Sequence, residues 1–386
     1  MIYLDHAATT PLAPEAREAM LPFLGEQFGN PSSIHAAGRQ VRAALDVARD
    51  AIAQALNVEF AEITFTSGGT EAANLAILGI MLAASPERYE LIVSSIEHPC
   101  VLKAAEFVRR LGKQVTILPV DGEGFVHPDA LRESISERTA LVSVMHANNE
   151  IGTIQDIPKL ATIAHEAGAL FHADAVQTFG ALPVLPRAMG VDLVSISAHK
   201  IYGPKGVGAL YARAGLTLSP VLHGGSQERE RRGGTENVPG IIGFGRAVEL
   251  SMQHRETRVA HDRELRDHFI RGVLAAIPSA TMNGPQINNQ SSRPNQSACR
   301  RLPNNANFSF PGQDGASLLM MLDRAGICAS SGSACSSGSI EPSPVLTAIG
   351  LTSDLANSAV RFTVGEQNTE AEINEVVRVL AKIVQP

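Results

Sequence analysis

Apolar positions along this chain follow two periods that take turns. Between residues 36 and 56, Val41, Leu45, Ala48, Ile52 and Leu56 recur at helical spacing and predict an amphipathic helix. Residues 63–66, Ile-Thr-Phe-Thr, then read as a strand that passes into Ser67-Gly-Gly-Thr70, a tight turn opening a helix. Strands are predicted at 91–95, 114–118 and 140–145, with helical stretches at 100–111 and 128–135 between them. A helix at 157–166, a strand at 169–173, an alternating run through Val191, Leu193 and Ile196, and a strand at 208–212 continue the series. Regular β-α-β alternation predicts an α/β fold whose mostly parallel sheet is covered by helices on both faces.

A long helical pattern from 241 to 277 leads out of this unit. Beyond it the chain predicts a strand at 305–310, a helix at 316–325, a strand-like core position for Cys328, a short helix at 344–349, a strand at 359–363 and a closing helix at 370–384. The opening stretch, Tyr3 to Pro11, reads as an extended arm before a helix started by Pro14. The expected division is a large domain over 15–250 and a smaller α+β domain made of 1–14 together with 251–386.

Ligands of such sheets sit at the carboxyl ends of the strands. Polar clusters fall there: Ser67-Gly-Gly-Thr70, Glu97-His98, Asn148-Asn-Glu150, Asp174 to Gln177, and Ser197-Ala-His-Lys200. Lys200 ends an apolar run and is followed by a glycine-rich turn, a place badly explained by packing. An amine there suits Schiff-base chemistry on a bound carbonyl compound. Neither a Gly-x-x-x-x-Gly-Lys loop nor a complete dinucleotide fingerprint is present. The charged, glycine-rich stretch 222–237 reads as a solvated loop, and 283–296 as an exposed one. Residues 329–338 are almost wholly small and polar, too little apolar surface to fix themselves, so Cys335 in their middle is expected to be exposed, reactive and mobile.

Composition narrows the picture only modestly. The 386 residues are 44% hydrophobic and 18% charged, an ordinary globular balance. With 39 acidic and 32 basic side chains the net charge is −7, which argues against nucleic acid as the main partner. No apolar run approaches membrane-spanning length and the first residues lack a signal-peptide pattern, so the cytoplasm is the expected location. Four scattered cysteines make neither a disulfide framework nor a zinc motif.

Taken in order, Asn30-Pro-Ser-Ser33, Glu97-His-Pro99, Asn148-Asn-Glu-Ile-Gly152, Asp174-Ala-Val-Gln177, Ser197-Ala-His-Lys200, Arg232-Gly-Gly-Thr-Glu-Asn237 and Ser330-Ser-Gly-Ser-Ala-Cys335 resemble the cysteine desulfurases of the NifS/IscS group, which are fold-type I, class V aminotransferase-like enzymes. The resemblance implies pyridoxal 5'-phosphate as cofactor. Lys200 would hold it, Asp174 would pair with its pyridinium nitrogen, His98 would stack on the ring and move protons, and Gln177 would hydrogen-bond the ring oxygen. Gly69, Thr70, Ser197 and His199 would hold the phosphate, with Thr235 reaching in from a second subunit of a homodimer. Asn149 would contact cofactor and substrate, and Arg361 would grip the carboxylate of L-cysteine. Cys335 would take the sulfur as a persulfide, leaving L-alanine, then pass it to an acceptor such as an iron–sulfur scaffold protein; the same thiol is a candidate transient iron–sulfur ligand. Two other readings stay open from sequence: an aminotransferase or lyase using the same cofactor, and a non-catalytic sulfur carrier that keeps the fold.

Overall fold

The computed structural model describes residues 1–287, 300–331 and 342–385. Cys335, the segment around it and most of the expected loop at 283–296 lie outside the described residues.

In chain order, β1 (Ile2–Tyr3) leads to α1 (Pro14–Met20) and α2 (Ala36–Leu56). The layered unit follows as β2 (Ile63–Thr66), α3 (Gly69–Ala83), β3 (Glu90–Ser94), α4 (Pro99–Arg110), β4 (Gln114–Leu118), α5 (Pro128–Ser134), β5 (Thr139–Ser143), α6 (Ile157–Glu166), β6 (Leu170–Asp174), α7 (Pro186–Met189), β7 (Leu193–Ser197) and β8 (Gly208–Ala212). These strands form one sheet in the order β2-β8-β7-β6-β5-β3-β4. All neighbours are parallel except β8, which runs antiparallel to both β7 and β2. The sequence suggested alternation approaching Lys200, yet all five residues of β7 are buried, Ser195 and Ser197 included. A central strand covered on both faces has no solvent side for alternation to report. Its polar residues are satisfied internally: Ser195 Oγ lies 2.9 Å from His172 Nε2, and His172 Nδ1 lies 2.8 Å from Ser143 Oγ.

The 39-residue helix α8 (Val238–Ala276) links the two cores. Its first half packs Ile241, Phe244 and Val248 into the core that α2 and the sheet share. Its second half packs Leu265, Phe269, Ile270 and Val273 against Phe308, Phe362 and the last helix. That second core comprises β9 (Thr281–Met282), β10 (Asn305–Ser309), α9 (Gly315–Arg324), β11 (Ile327–Cys328), α10 (Pro344–Ala348), α11 (Ser353–Asn357), β12 (Ala359–Thr363) and α12 (Glu370–Val384). Strands β12, β10 and β9 make an antiparallel sheet, while β1 pairs in parallel with β11. Cys328, expected in the core, is only half-buried, on a two-residue strand whose strand partner among the described residues is β1.

Candidate active site

Three side chains converge where β3, β6 and β7 end. Asp174 is the last residue of β6 and is buried, its Oδ1 accepting the Val176 N–H at 2.9 Å. Burial pushes its carboxyl above the usual carboxylate range, opposed by that bond and by the charges of His98 and Lys200. His98 caps α4 after the turn leaving β3, its Nδ1 accepting the Cys100 N–H at 3.2 Å. Burial lowers its pKa, with Asp174 acting against and Lys200 with that shift. Lys200 ends a single 3-10 turn directly after β7, and its Nζ donates to the carbonyls of Ala7 and Ala8, the latter at 2.7 Å.

Beside them lies a cavity of about 420 Å³ lined by Ala8, Thr9, Ser67 to Glu71, Ser197, His199, Lys205 and Gly206. It contains four of the residues singled out from sequence: Gly69, Thr70, Ser197 and His199. Its floor is the N-terminus of α3, whose unpaired backbone N–H groups and partial positive charge suit an anion. The approach is close because glycine is required. A Cβ on Gly208 would stand 2.6 Å from the Ile196 carbonyl and 2.8 Å from Gly68 Cα, and Gly68 itself sits at φ +150°. The His199 Nδ1 lies 3.2 Å from Thr9 Oγ1, and burial, then Lys200 and Lys205, hold the ring down at about 4. His98 and Thr70 also line an adjoining cavity of about 360 Å³ between α3 and α4.

The remaining predicted residues surround this centre. Gln177 Nε2 donates at 3.1 Å to the same Ala7 carbonyl that Lys200 uses. Of the two adjacent asparagines, Asn148 is fully buried and spent on a turn: Oδ1 accepts from Glu150 and Ile151, and Nδ2 donates to the Ile96 carbonyl. Asn149 is only partly buried, and its carbonyl accepts from Arg361 at 3.0 Å. Arg361, buried on β12, also pairs with Asp5 at 2.8 Å. Thr235 is exposed and does not line the cavity of its own chain. Cys335 lies outside the described residues, but the chain on either side of it is anchored near this site. Ser330 exchanges backbone hydrogen bonds with Arg361, and Ser343 Oγ donates to Glu150 at 2.6 Å.

Sequence reasoning placed Ser67 in a strand-end cluster without giving it a role, and missed the carbonyls of Ala7 and Ala8, together with Asp5, Glu71 and Lys205. Glu71 was detectable beside that cluster, where it accepts from the Ser67 N–H at 2.8 Å and pairs with Arg232 at 2.9 Å. The N-terminal arm gave no local signal, since its partners lie from 170 to 356 positions away. The stretch 222–237, read as solvated, is tethered at its middle. Glu228 is buried and makes a two-pronged pair with Arg49 at 2.7 and 2.6 Å, beneath the rings of Phe60 and Phe65.

The donors fit pyridoxal 5'-phosphate. Hydroxyls, backbone N–H groups, His199 and Lys205 line one cavity at a helix N-terminus, as a phosphate requires, and the buried Asp174 carboxylate beside Lys200 and His98 suits a cationic ring nitrogen. Among the described residues no cluster of His, Cys, Asp and Glu is arranged for a metal, and no helix is long and apolar enough to cross a membrane.

Comparison with known proteins agrees with this geometry. The model of the aminotransferase class-V family matches residues 2–376. Over 384 residues the chain is 51% identical to a protein of Dictyoglomus turgidum named cysteine desulfurase IscS, covering 100% of this chain and 94% of that one. A solved NifS-like protein superposes with a TM-score of 0.90 at 34% identity, covering 99% of each chain. A structure described as SspA in complex with cysteine gives 0.80 at 34% identity over 96% of this chain and 100% of that one.

Proposed function

The chain belongs to the aminotransferase class-V family, and from that membership we propose that it is a pyridoxal phosphate-dependent L-cysteine desulfurase with the residue roles set out below. The observation that carries the assignment of its centre is the meeting of Asp174, His98 and Lys200 at three strand ends beside an anion-binding cavity. Pyridoxal phosphate, when bound, supplies an electron sink for charge developing on the substrate's Cα. Lys200 holds the cofactor through its amine and later carries a proton. Asp174 keeps the ring nitrogen protonated, His98 covers the ring and handles protons, and Gln177 donates to the ring oxygen. The helix N-terminus at Gly69 and Thr70, with Ser197 and His199, holds the phosphate.

Arg361 binds the substrate carboxylate with Asn149 beside it; the Asp5 pair keeps the guanidinium in place meanwhile. The Cys335 thiolate would form an S–S bond to the substrate sulfur as the substrate's Cβ–S bond breaks; Cβ takes a proton, giving L-alanine, and the sulfur would stay as a Cys335 persulfide. Anchoring of Ser330 at Arg361 and of Ser343 at Glu150 supports a sulfur-carrying segment that starts and ends at the site. An acceptor protein then takes the sulfur for iron–sulfur cluster assembly, with Cys335 also serving as a transient iron–sulfur ligand, and the reaction takes place in the cytoplasm.

The enzyme works as a homodimer in which Thr235 completes the partner's phosphate site. Two observations support this: Thr235 is exposed, and between α1 and α2 the chain displays Leu21, Leu24, Phe28 and Ile34 to solvent, the last two 84% and 90% exposed. The two cores support a division into a large unit over 15–250 and a small unit of 1–14 with 251–386, bridged by α8.

The test is to give the purified holoenzyme L-cysteine and follow alanine, sulfide and a persulfide on Cys335. Cys335→Ala is expected to keep the cofactor's visible absorption while sulfide release disappears. Undiminished sulfide from that variant would remove Cys335 from the reaction.

A further inference from the structure

His98 enters the site with one ring nitrogen already committed. The backbone N–H of Cys100 donates to Nδ1 at 3.2 Å, a bond only an unprotonated nitrogen can accept. Cys100 Sγ stands 3.0 Å from that same nitrogen. A thiol has one proton to offer, and Cys100 keeps it: burial first, then the carboxyls of Asp174 and Glu97, push the thiol up and outweigh the backbone N–H groups of Val101 and Cys100, which lower it. Both donors come from one residue in the first turn of α4, and both act on the ring that caps that helix.

We propose that Cys100 is a positioning residue for His98: its thiol and its backbone N–H together hold Nδ1 as an acceptor and fix the proton of the neutral ring on Nε2. The inference deepens the reading of His98 as a proton-handling group and rests on it. A ring so held offers an N–H at Nε2 and takes a proton at Nδ1 only by breaking both bonds. His98 is then a hydrogen-bond donor through Nε2 that keeps its own proton, and Lys200 is left as the acceptor for the proton removed from the substrate. The charged and polar groups facing this pair come from every neighbouring element. They are Glu97 before α4, Lys103 on α4, Thr70 and Asn74 on α3, Asp174 at the end of β6 and Lys200 after β7. Burial lowers the ring's pKa most, Asp174 opposes this and Lys200 adds to it. Cys100 therefore acts on a ring that is already predominantly neutral, and what it decides is where the proton sits.

The test uses holoenzyme labelled with nitrogen-15 in its histidine rings, with the His98 signal assigned by its loss in His98→Gln. Ring nitrogen shifts are recorded between about pH 6 and pH 9, alongside the pH profile of alanine formation. Wild type and Cys100→Ser, which retains a side-chain donor, are expected to show the Nε2–H form throughout. In Cys100→Ala the pKa of His98 is expected to rise by about 0.5–1 unit, with an Nδ1–H population appearing. A wild-type ring protonated at Nδ1, or an alanine variant whose ring matches wild type, overturns the proposal. The wild-type spectrum decides even where Cys100→Ala fails to fold. If the ring shifts in the alanine variant while the rate profile does not, the role of Cys100 stands and the role of His98 in proton handling falls.

Discussion

The centre of this enzyme depends on charges held away from water, and its residues titrate accordingly. Burial pushes the Asp174 carboxyl up, and the Val176 N–H with the charges of His98 and Lys200 works against that shift in favour of the carboxylate. Asp174→Asn, similar in shape but uncharged, is expected to lower alanine formation about 100-fold or more while leaving the fold intact, as read by steady-state rates and circular dichroism. Glu97 is shifted the same way. Its Oε1 accepts from Ser94 and from the Met145 N–H at 2.5 and 2.7 Å, but burial pushes the carboxyl up to about 8. The unfolded chain releases this proton near pH 4.5, whereas the folded protein keeps it until about pH 8. The folded state binds the extra proton across that window, so this group's contribution to stability is complete below pH 4.5 and is lost as pH rises to 8. Glu97→Gln should flatten that slope and raise the melting temperature at pH 8 by roughly 3 °C. A melting curve with the wild-type dependence on pH would show that Glu97 is already ionised.

At the scale of elements, the stretch 222–237 was read from sequence as solvated because it is dense in charge and glycine. Most of it is exposed, but its middle is pinned by a buried pair, and Arg232 adds a second pair with Glu71. Glu228, Arg229 and Glu230 all adopt left-handed backbone at φ 46°, 58° and 64°, which non-glycine residues enter at a cost. The Arg49–Glu228 pair, with Glu228 also accepting from the Phe65 N–H at 2.9 Å, holds them there. Glu228→Ala leaves a buried guanidinium without its carboxylate, and a loss of about 3–5 kcal/mol in denaturant unfolding is expected. Since Thr235 follows on the same stretch, cofactor retention should weaken in the same variant. Gly208→Ala probes the turn at the phosphate end: the added methyl meets backbone atoms of Ile196 and Gly68, which cannot rotate away. About 1–3 kcal/mol of destabilisation and a measurable fall in cofactor affinity are expected. Wild-type affinity in that variant would mean that β8 shifts without disturbing α3.

On the scale of the whole molecule, α8 carries the architecture. Its buried residues face one core along its first half and a different core along its second. The N-terminal arm adds a strand to the small unit through β11, then crosses to place Ala7 and Ala8 under Lys200 and Asp5 against Arg361. The proposed homodimer can be tested at the exposed apolar residues Leu21, Leu24, Phe28 and Ile34. Phe28→Glu is expected to shift the protein from dimer to monomer in sedimentation and to reduce activity together with cofactor content. A dimer of undiminished stability would place the subunit contact elsewhere.

Local physics left clear marks in the sequence. Helical period located α2 and α6 to the residue, and strand composition located β2, β4, β8 and β12, because each depends on neighbours a few positions away. The turn residues Gly69, Thr70, Ser197 and His199, which line the cavity, were legible for the same reason, since small and polar residues at strand ends have few structural uses. Distance along the chain hid the rest. The antiparallel insertion of β8, the two-core path of α8, the Arg49–Glu228 pair and the delivery of Ala7, Ala8 and Asp5 to the site all join residues far apart in sequence, and no local period records such pairings. The residue types at the site could be read from the chain alone. Which of two asparagines was spent on a turn, and which ring nitrogen of His98 was already bonded, depended on packing between strands and helices, which only the folded chain brings together.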